Sequence, residues 1–302
     1  MTKEIQKPIP LWDSVKKLFS TFDIHSFREI GGLNDRLGTW GAVDQSSRYY
    51  RALMFEFACH LENKLNETNL GNDLTKILKR VENQNFGGPP TICFNGVQLS
   101  LDYLLGIEEY LFCNSLLMKV DEICEIGAGF GRTCHTFLSL TELKSYTIID
   151  LPEMLPLSKN YLSAVLSQKQ FKKIKFVPAT DYQNLRNFDL VINIDSLQEM
   201  PIDIGNSYLD FISKKAQYFF TKNALGKYSP SDIDLEIKSA SEFEAAMEMG
   251  IMTEKYKLFD TQARKRALET YHKKYCPLGF RLIKTQRGFG QYLSYELSLF
   301  SS

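Results

Sequence analysis

From residue 121 onward, short runs rich in β-branched and aromatic residues alternate with segments that carry helical spacing. This alternation is typical of a parallel sheet with helices on its faces. The candidate strands are DEICEIG, YTIID, IKFVPA, FDLVINI and AQYFFTK, and the helical stretches between them are RTCHTFLSLTEL, LPLSKNYLSAVLSQ and GNSYLDFISKK. We therefore predict an α/β fold with a mostly parallel, doubly wound sheet.

The chain ends with GFRLIKTQRGFGQYLSYELSLF, which is two β-like runs joined by Arg-Gly-Phe-Gly. Parallel strands cannot be joined so tightly, so the last two strands must be antiparallel. Residues 222–278 separate this hairpin from the fifth strand and contain the helical segment TEKYKLFDTQARKRALETYHKKY. We predict that they form an insertion on the substrate side of the fold.

The first part of the chain has helical spacing instead. Residues 11–22 and 48–67 are predicted helices, and SLDYLLGIEEYLFCNSLL is another. QNFGGPPTICFNG, residues 84–96, is interpreted as a loop because Gly-Gly-Pro-Pro breaks a helix. The predicted organisation is a helical extension over residues 1–96 and a ligand-binding domain over residues 97–302.

Charge and composition point to a small partner. The chain has 36 basic and 36 acidic residues, so no overall field favours nucleic acid or an anionic membrane. The start has Lys, Glu and Pro where a signal peptide needs an apolar core, and no apolar run is long enough to span a bilayer. A cytoplasmic protein without membrane insertion is expected. Its oligomeric state is left open, and a homo-oligomer is compatible with the sequence.

EIGAGFGR, residues 125–132, follows the first strand and carries glycine at three alternating positions, Gly127, Gly129 and Gly131. Glycine lets the main chain turn sharply and approach a ligand, and the following helix start offers free N–H groups. Dinucleotide-binding proteins and methyltransferases share such loops. The dinucleotide fingerprint wants glycine at the sixth position, where this chain has Arg132. An NAD-dependent oxidoreductase or epimerase is therefore the less favoured alternative.

Acidic residues follow the next two strands. Asp150 ends YTIID at about the distance where an acid meets a ribose, although it would instead cap a helix that began near Pro152. Asp181 follows the third strand, where it either accepts a hydrogen bond from an adenine amine or forms a turn, and Tyr182 would lie near the ring.

A polar cluster follows the fourth strand in FDLVINIDSLQEMP, with Asn193, Asp195, Ser196, Gln198 and Glu199. In a doubly wound sheet the ligand lies at the carboxyl ends of the strands, so substrate contacts or a general base belong there. Loop solvation is the alternative for each residue. No spacing of Cys, His, Asp or Glu predicts a metal site.

Together, EIGAGFGR, YTIIDLPEM and FDLVINIDSLQEMP resemble the class I S-adenosylmethionine-dependent methyltransferases. The D-L-P-E and S-x-Q-E-M pieces resemble a bacterial group of sugar O-methyltransferases within that class. The resemblance covers residues 97–220 well and the two ends loosely. It implies a Rossmann-like, seven-stranded sheet with an antiparallel last strand, S-adenosyl-L-methionine as cofactor, and a small carbohydrate as acceptor, with a precursor of surface polysaccharide as one option.

The resemblance also implies roles for individual residues. Glu125, Gly127, Gly129 and Gly131 would line the methionine part of the cofactor, and Asn193 with Ile194 would close over it. Asp150 and Leu151 would hold the ribose, and Asp181 with Tyr182 would bound the adenine. Arg132 stands where the family commonly has a second glycine, so it either favours an anionic sugar substrate or is a solvated side chain.

Transfer to a sugar hydroxyl needs a base to accept the proton. The candidates are Glu199, Asp195, His135 and His272, of which we assign Glu199 and His272 to catalysis. For His135 and His272 the competing interpretation is a packing or surface role on a helix. Trp40, Tyr49 and Tyr50 would either stack on a sugar ring or belong to the core. Another small acceptor for the same fold, such as a phosphate-linked metabolite, remains an alternative.

Overall fold

The computed structural model describes residues 23–30, 32, 45–67, 73–228, 232, 244, 246–289 and 295–302. The predicted helix at 11–22 and Trp40 lie outside these residues. The described strands are β1 (Thr91–Phe94), β2 (Val97–Ser100), β3 (Glu122–Ile126), β4 (Ser145–Asp150), β5 (Ile174–Pro178), β6 (Phe188–Ile194), β7 (Ala216–Ala224), β8 (Arg281–Arg287) and β9 (Tyr295–Ser301). The described helices are α1 (Arg48–Asn66), α2 (Leu74–Arg80), α3 (Leu101–Leu117), α4 (Arg132–Leu140), α5 (Leu155–Val165), α6 (Gln168–Phe171), α7 (Ile202–Lys215) and α8 (Thr261–Tyr275).

Seven strands form one sheet in the order β5-β4-β3-β6-β7-β9-β8. Strand β3 pairs in parallel with β4 and β6, and β6 pairs in parallel with β7. Strand β9 is antiparallel to both β7 and β8. The predicted α/β class, the seven-stranded sheet and the antiparallel last strand are thus confirmed. Strands β4 and β5 lie on one side of β3 in the sheet, and β6 and β7 lie on the other. The carboxyl ends of β3 and β6 therefore meet at a topological switch point.

The predicted loop at residues 84–96 is wrong in its second half. Thr91–Phe94 and Val97–Ser100 pair as an antiparallel hairpin. Asn95 and Gly96, with φ of 46° and 78°, form its two-residue turn. Asn-Gly between apolar runs is a strong hairpin signal, because both residues tolerate positive φ. The Gly-Gly-Pro-Pro stretch concealed it by marking the whole segment as irregular.

Two compact units are distinguished by contacts within the chain. Unit one holds the described residues of Met1–Asn114 together with Gly129–Glu142 and Asp150–Thr180. Unit two holds Ser115–Ala128, Leu143–Ile149 and the described residues of Asp181–Ser302. The boundary predicted between residues 96 and 97 stays a prediction.

Each unit has its own core. In unit one, α1 buries one face at helical spacing, through Tyr50, Met54, Phe57, Ala58, Leu61 and Leu65. The Ser47 side chain caps this helix by accepting a hydrogen bond from the Tyr50 amide. In unit two, β6 is apolar almost without interruption, as expected of a parallel strand covered on both faces. No helix among the described residues is both long and apolar enough to cross a lipid bilayer.

Candidate functional site

The glycine loop connects the end of β3 to the start of α4, and its three glycines have positive φ of 73°, 58° and 97°. Their surroundings differ. A Cβ at Gly127 would collide with the Ser196 side chain, and a Cβ at Gly131 would lie 2.8 Å from Leu162 Cδ1. A Cβ at Gly129 would meet no heavy atom of the described residues within 4 Å. The main chain at Gly129 is therefore open where a side chain would stand, as far as the described residues go, whereas glycine at the other two positions permits close packing.

Asp150 ends β4 and is 9% exposed. Its Oδ2 accepts a hydrogen bond of 3.0 Å from the Gly129 amide, and its Oδ1 accepts one of 2.8 Å from the Leu151 amide. Helix α5 begins at Leu155 rather than near Pro152, so the Asp150 carboxylate is not a helix cap. The acid and the open bend predicted from separate motifs are joined directly within unit one.

Glu125, the acid of the EIGAGFGR motif, is 2% exposed on β3. Its Oε2 accepts a hydrogen bond of 2.7 Å from the Tyr146 hydroxyl of β4. This bond links two neighbouring strands of unit two. Satisfying a buried carboxylate in this way avoids the large cost of leaving it unpaired.

The amide of Asn193, at the end of β6, is fully buried. Its Nδ2 donates to the Ile126 carbonyl at 3.0 Å and to Ser196 Oγ at 2.5 Å. Its Oδ1 accepts a bond of 2.9 Å from Asn223 Nδ2. Ile194, the next residue, is also buried. The side chains of Asn193 and Ile194 are thus committed to the interior of unit two, which leaves the main chain as the part that can contact a ligand.

Asp181 and Tyr182 differ in exposure. The Asp181 side chain is exposed, just before the 3-10 turn Tyr182–Asn184. Tyr182 is 5% exposed, and its ring lies 4.5 Å from the ring of Tyr208 and 5.1 Å from that of Phe211, between ring centroids. Tyr182 therefore packs against α7 of unit two.

The side chain of Glu199, in the loop after β6, is exposed to solvent, although protein atoms are dense around its carboxylate. Loss of hydration, followed by repulsion from Asp195, raises the pKa of Glu199 to about 7, and Lys227 opposes the shift. Burial also lowers the pKa of Lys227. A carboxylate with a pKa of about 7 is suited to take up a proton near neutral pH.

Two neighbours of Glu199 hold its loop. Ser196 Oγ donates to the Ile126 carbonyl at 2.9 Å. Gln198 donates from Nε2 to the Tyr295 hydroxyl and accepts at Oε1 from the Ala224 amide, each at 2.7 Å. Asp195 has a φ of 63°, so the chain turns sharply there. The polar residues predicted as one cluster divide into these loop anchors and the exposed Glu199.

The other candidate bases lie in different surroundings. His272 is half-buried on α8, with Nε2 3.1 Å from Thr285 Oγ1 of β8, and burial lowers its pKa. His135 is fully buried, with Nδ1 2.5 Å from the Tyr103 hydroxyl. Burial, together with the charge of Arg28, lowers the pKa of His135 to about 3. His135 is thus a neutral, interior residue, which is its packing interpretation.

Arg132 fits neither of its predicted roles. It donates from Nη2 to Glu109 Oε1 at 2.7 Å, and only 13% of its side chain is exposed. Glu109 itself is fully buried on α3. A pair of glutamates inside the otherwise apolar GIEEYLF was the available sequence signal. The helix start is therefore neutralised by a partner within unit one, and it is neither a solvated cation nor a free anion site.

The aromatic residues of α1 also divide. Tyr50 is 4% exposed and belongs to the core, whereas Tyr49 is 70% exposed with its ring 5.1 Å from the Arg48 guanidinium.

Two surface depressions lie away from the predicted residues. One is formed at the starts of β6 and β7, and the other by Asp232 and 257–260.

A scan against protein-family models finds no match, and neither does a search of curated proteins. Solved structures do match. The methyltransferase domain of bacterial CtHen1-C has a TM-score of 0.47 and 11% identity, with 66% of this chain and 97% of that chain covered. Magnesium protoporphyrin IX methyltransferase from Synechocystis PCC 6803, solved with bound SAH, has a TM-score of 0.45 and 15% identity, with 76% and 94% covered. The O-methyltransferase NcsB1 from neocarzinostatin biosynthesis, in complex with S-adenosyl-L-homocysteine and 1,4-dihydroxy-2-naphthoic acid, has a TM-score of 0.41 and 11% identity, with 67% and 57% covered.

Proposed function

We propose that the chain is an S-adenosylmethionine-dependent O-methyltransferase that acts on a hydroxyl of a sugar or sugar-containing precursor. The observation that carries the proposal is the pair formed by Gly129 and Asp150, in which a main-chain bend without side chain donates its amide to the acid that ends the next strand. The motifs that supply this pair, EIGAGFGR and YTIIDLPEM, are those of the methyltransferase resemblance.

The residues present fit this cofactor. No heavy atom in the described part of the chain comes within 4 Å of where a Cβ would stand on Gly129. Both carboxylate oxygens of Asp150 accept hydrogen bonds from main-chain amides, and an oxygen of an ionised carboxylate can accept more than one hydrogen bond. In this proposal Asp150, an acceptor at the end of β4, would bind the pentose hydroxyls of the cofactor. Gly129 would then contact the amino-acid half of the same molecule.

When bound, S-adenosylmethionine supplies an electrophilic methyl group. The chain itself has to hold the acceptor oxygen in line with that group, and such positioning is worth up to about 7 to 11 kcal/mol. Asp150 and the Gly129 main chain orient the cofactor side. On the acceptor side, Glu199 would accept the hydroxyl proton at its carboxylate, because its raised pKa lets it be deprotonated and yet basic near pH 7.

The sugar class rests on the D-L-P-E and S-x-Q-E-M segments. In the second segment, Ser196 and Gln198 anchor the loop and Glu199 keeps its side chain exposed. This division supports an acceptor-side role for Glu199.

Two measurements test the proposal in sequence. A ligand bound only by the folded state raises the melting temperature, so S-adenosylhomocysteine should stabilise the protein and NAD should not. Stabilisation by NAD alone would overturn the cofactor assignment. Mass spectrometry after incubation with labelled S-adenosylmethionine and a panel of nucleotide sugars should then find a methylated sugar. If the label appears only in acceptors without a sugar, the carbohydrate assignment fails and the methyltransferase assignment stands.

A further inference from the structure

Arg28 is a buried cation in the segment that precedes α1, and its side chain has no exposed surface. A guanidinium carries five N–H donors. Nε and Nη2 both donate to Asp102 Oδ2, at 3.1 and 2.9 Å, and Nη2 also donates to Ser100 Oγ at 3.1 Å. Nη1 donates to the carbonyls of Gln84 and Phe86, at 2.7 and 2.9 Å. All five donors are used, so the plane of the guanidinium is held in one orientation.

The held guanidinium faces a ring of the glycine loop. Arg28 Cζ lies 5.3 Å from the centroid of Phe130, within the range of a cation–π contact. The same ring meets Tyr161 edge-on at 4.9 Å and Phe27 edge-on at 5.5 Å. The Phe130 side chain is thus enclosed on three sides by residues of unit one.

Tyr161, one wall of this enclosure, is itself fixed. Its hydroxyl lies 2.5 Å from that of Tyr103, which in turn lies 2.5 Å from His135 Nδ1. The Arg28 guanidinium also lies over the Tyr103 ring, 5.2 Å from its centroid. Cation, rings and hydroxyls therefore form one connected network around Phe130. Such a network holds its members more rigidly than separate pairs would.

Phe130 stands between Gly129 and Gly131, which both have left-handed backbone. Two such glycines make a short loop conformationally permissive, so another feature has to select its bound shape. Binding is tighter when a loop is already ordered, because less conformational entropy is lost at that moment. The side chain of Phe130 is the anchor that the chain offers between the two glycines.

We infer that Arg28 is a positioning residue for the cofactor loop, acting through the ring of Phe130. The inference rests on the proposed function, because it takes Gly129 as the residue that contacts the cofactor. It assigns the segment 23–30, which no motif of the resemblance includes, to cofactor binding. Arg28 does not touch the cofactor in this role; it fixes the side chain next to the residue that does.

Isothermal titration with S-adenosylhomocysteine tests the inference in wild type, Arg28→Lys, Phe130→Leu and the double variant. Lysine keeps the charge but has no planar fork of donors, so it cannot hold the same position over the ring. Each single change should raise Kd about tenfold, equivalent to ~1.4 kcal/mol. The double variant should lie close to the singles, because both changes remove the same contact. Independent effects would instead multiply to about a hundredfold.

Leu61→Ala is the matched control for lost stability. Leu61 is fully buried in the core face of α1, within unit one. Its replacement should lower the melting temperature and leave Kd unchanged well below that temperature. A raised Kd in Leu61→Ala equal to that in Arg28→Lys would mean that stability alone controls affinity, and would overturn the inference.

The outcomes separate the two proposals. If wild type gives no binding heat at millimolar ligand, the cofactor assignment fails and the inference fails with it. If wild type binds and Arg28→Lys binds equally well, only the inference is overturned. If Arg28→Lys does not fold, Phe130→Leu decides. An unchanged Kd in Phe130→Leu contradicts an anchoring role for the ring, and a Kd raised about tenfold supports it.

Discussion

The main-chain amide of Gly129 donates a hydrogen bond of 3.0 Å to Oδ2 of Asp150. One donor and one acceptor thereby join the turn after β3 to the end of β4, within unit one. The bond orients both partners before any ligand binds. The roles of Gly129 and Asp150 can be tested separately, with one variant for each residue.

Gly129→Ala should weaken binding of S-adenosylhomocysteine by at least about tenfold, because the new methyl group would enter the space that the proposed cofactor occupies. Gly96→Ala is a matched control. Gly96 also has a positive φ, 78°, has no described residue within 4 Å of its Cβ position, and lies in the hairpin turn. Both variants should lose ~1 to 2 kcal/mol of stability from left-handed backbone. Calorimetry should find normal affinity in Gly96→Ala; equal weakening in both variants would contradict the assignment of Gly129.

Asp150→Asn should raise the Kd of the same ligand about 30-fold, because hydrogen bonds to a charged acceptor contribute about 2 kcal/mol. Asp189 provides the comparison, since its carboxylate also accepts from two main-chain amides, those of Asp121 and Glu122, both at Oδ2 and at 2.8 and 3.0 Å. Asp189→Asn should lower the melting temperature with no change in Kd. Should Asp150→Asn bind as tightly as wild type, Asp150 does not hold the pentose.

Glu199→Gln should lower kcat about 10²- to 10⁴-fold with little change in cofactor affinity, because it removes the proton acceptor. The base acts when deprotonated, so wild-type kcat should rise with pH through a midpoint near 7, the raised pKa of Glu199. The variant should lack that inflection. Glu254→Gln is the control, since Glu254 pairs with Lys274 and its pKa is lowered. An unchanged pH profile in Glu199→Gln would remove Glu199 from this role.

Gly127→Ala should destabilise unit two, because its Cβ would overlap the Ser196 side chain. Overpacking of this kind costs about 1 to 3 kcal/mol. Adding Ser196→Gly removes the overlapping atoms, so the double variant should recover part of the lost stability in urea unfolding. Without any recovery, Gly127 would be required for its backbone conformation alone.

Acid should destabilise wild type more steeply than His135→Asn. Burial lowers the pKa of His135 from 6.5 to about 3 in the folded protein, so the unfolded chain binds a proton that the folded chain does not. The stability contributed by neutral His135 is complete above pH 6.5 and is lost as the pH falls toward 3. The free energy of unfolding should therefore fall by about 1.4 kcal/mol per pH unit more in wild type than in the variant across this window. Parallel curves from urea titrations at several pH values would mean that His135 is protonated in the folded state.

Local patterns predicted the framework of this molecule. The apolar runs of β3 to β7, the helices between them and the final antiparallel hairpin all follow from hydrophobic period and connection length, which act over a few residues. The pairing of β1 with β2 had a local signal as well, in Asn95 and Gly96, but neighbouring breakers obscured it. The sequence also predicts Gly129 and Asp150 as cofactor-binding residues, because each belongs to a ligand-binding motif that follows or ends a strand.

The partners of the charged and aromatic side chains were decided by the tertiary structure alone. The sequence allows Arg132 to be in solvent, but in the structure it pairs with the buried Glu109, which is 23 positions away in the sequence. Arg28 and Phe130 lie 102 positions apart in the sequence and share no motif, yet their contact follows from packing within unit one. The pKa of Glu199 likewise depends on how densely protein surrounds it. Backbone preferences depend on neighbouring residues in the sequence, whereas burial and charge pairing arise only when distant segments pack together.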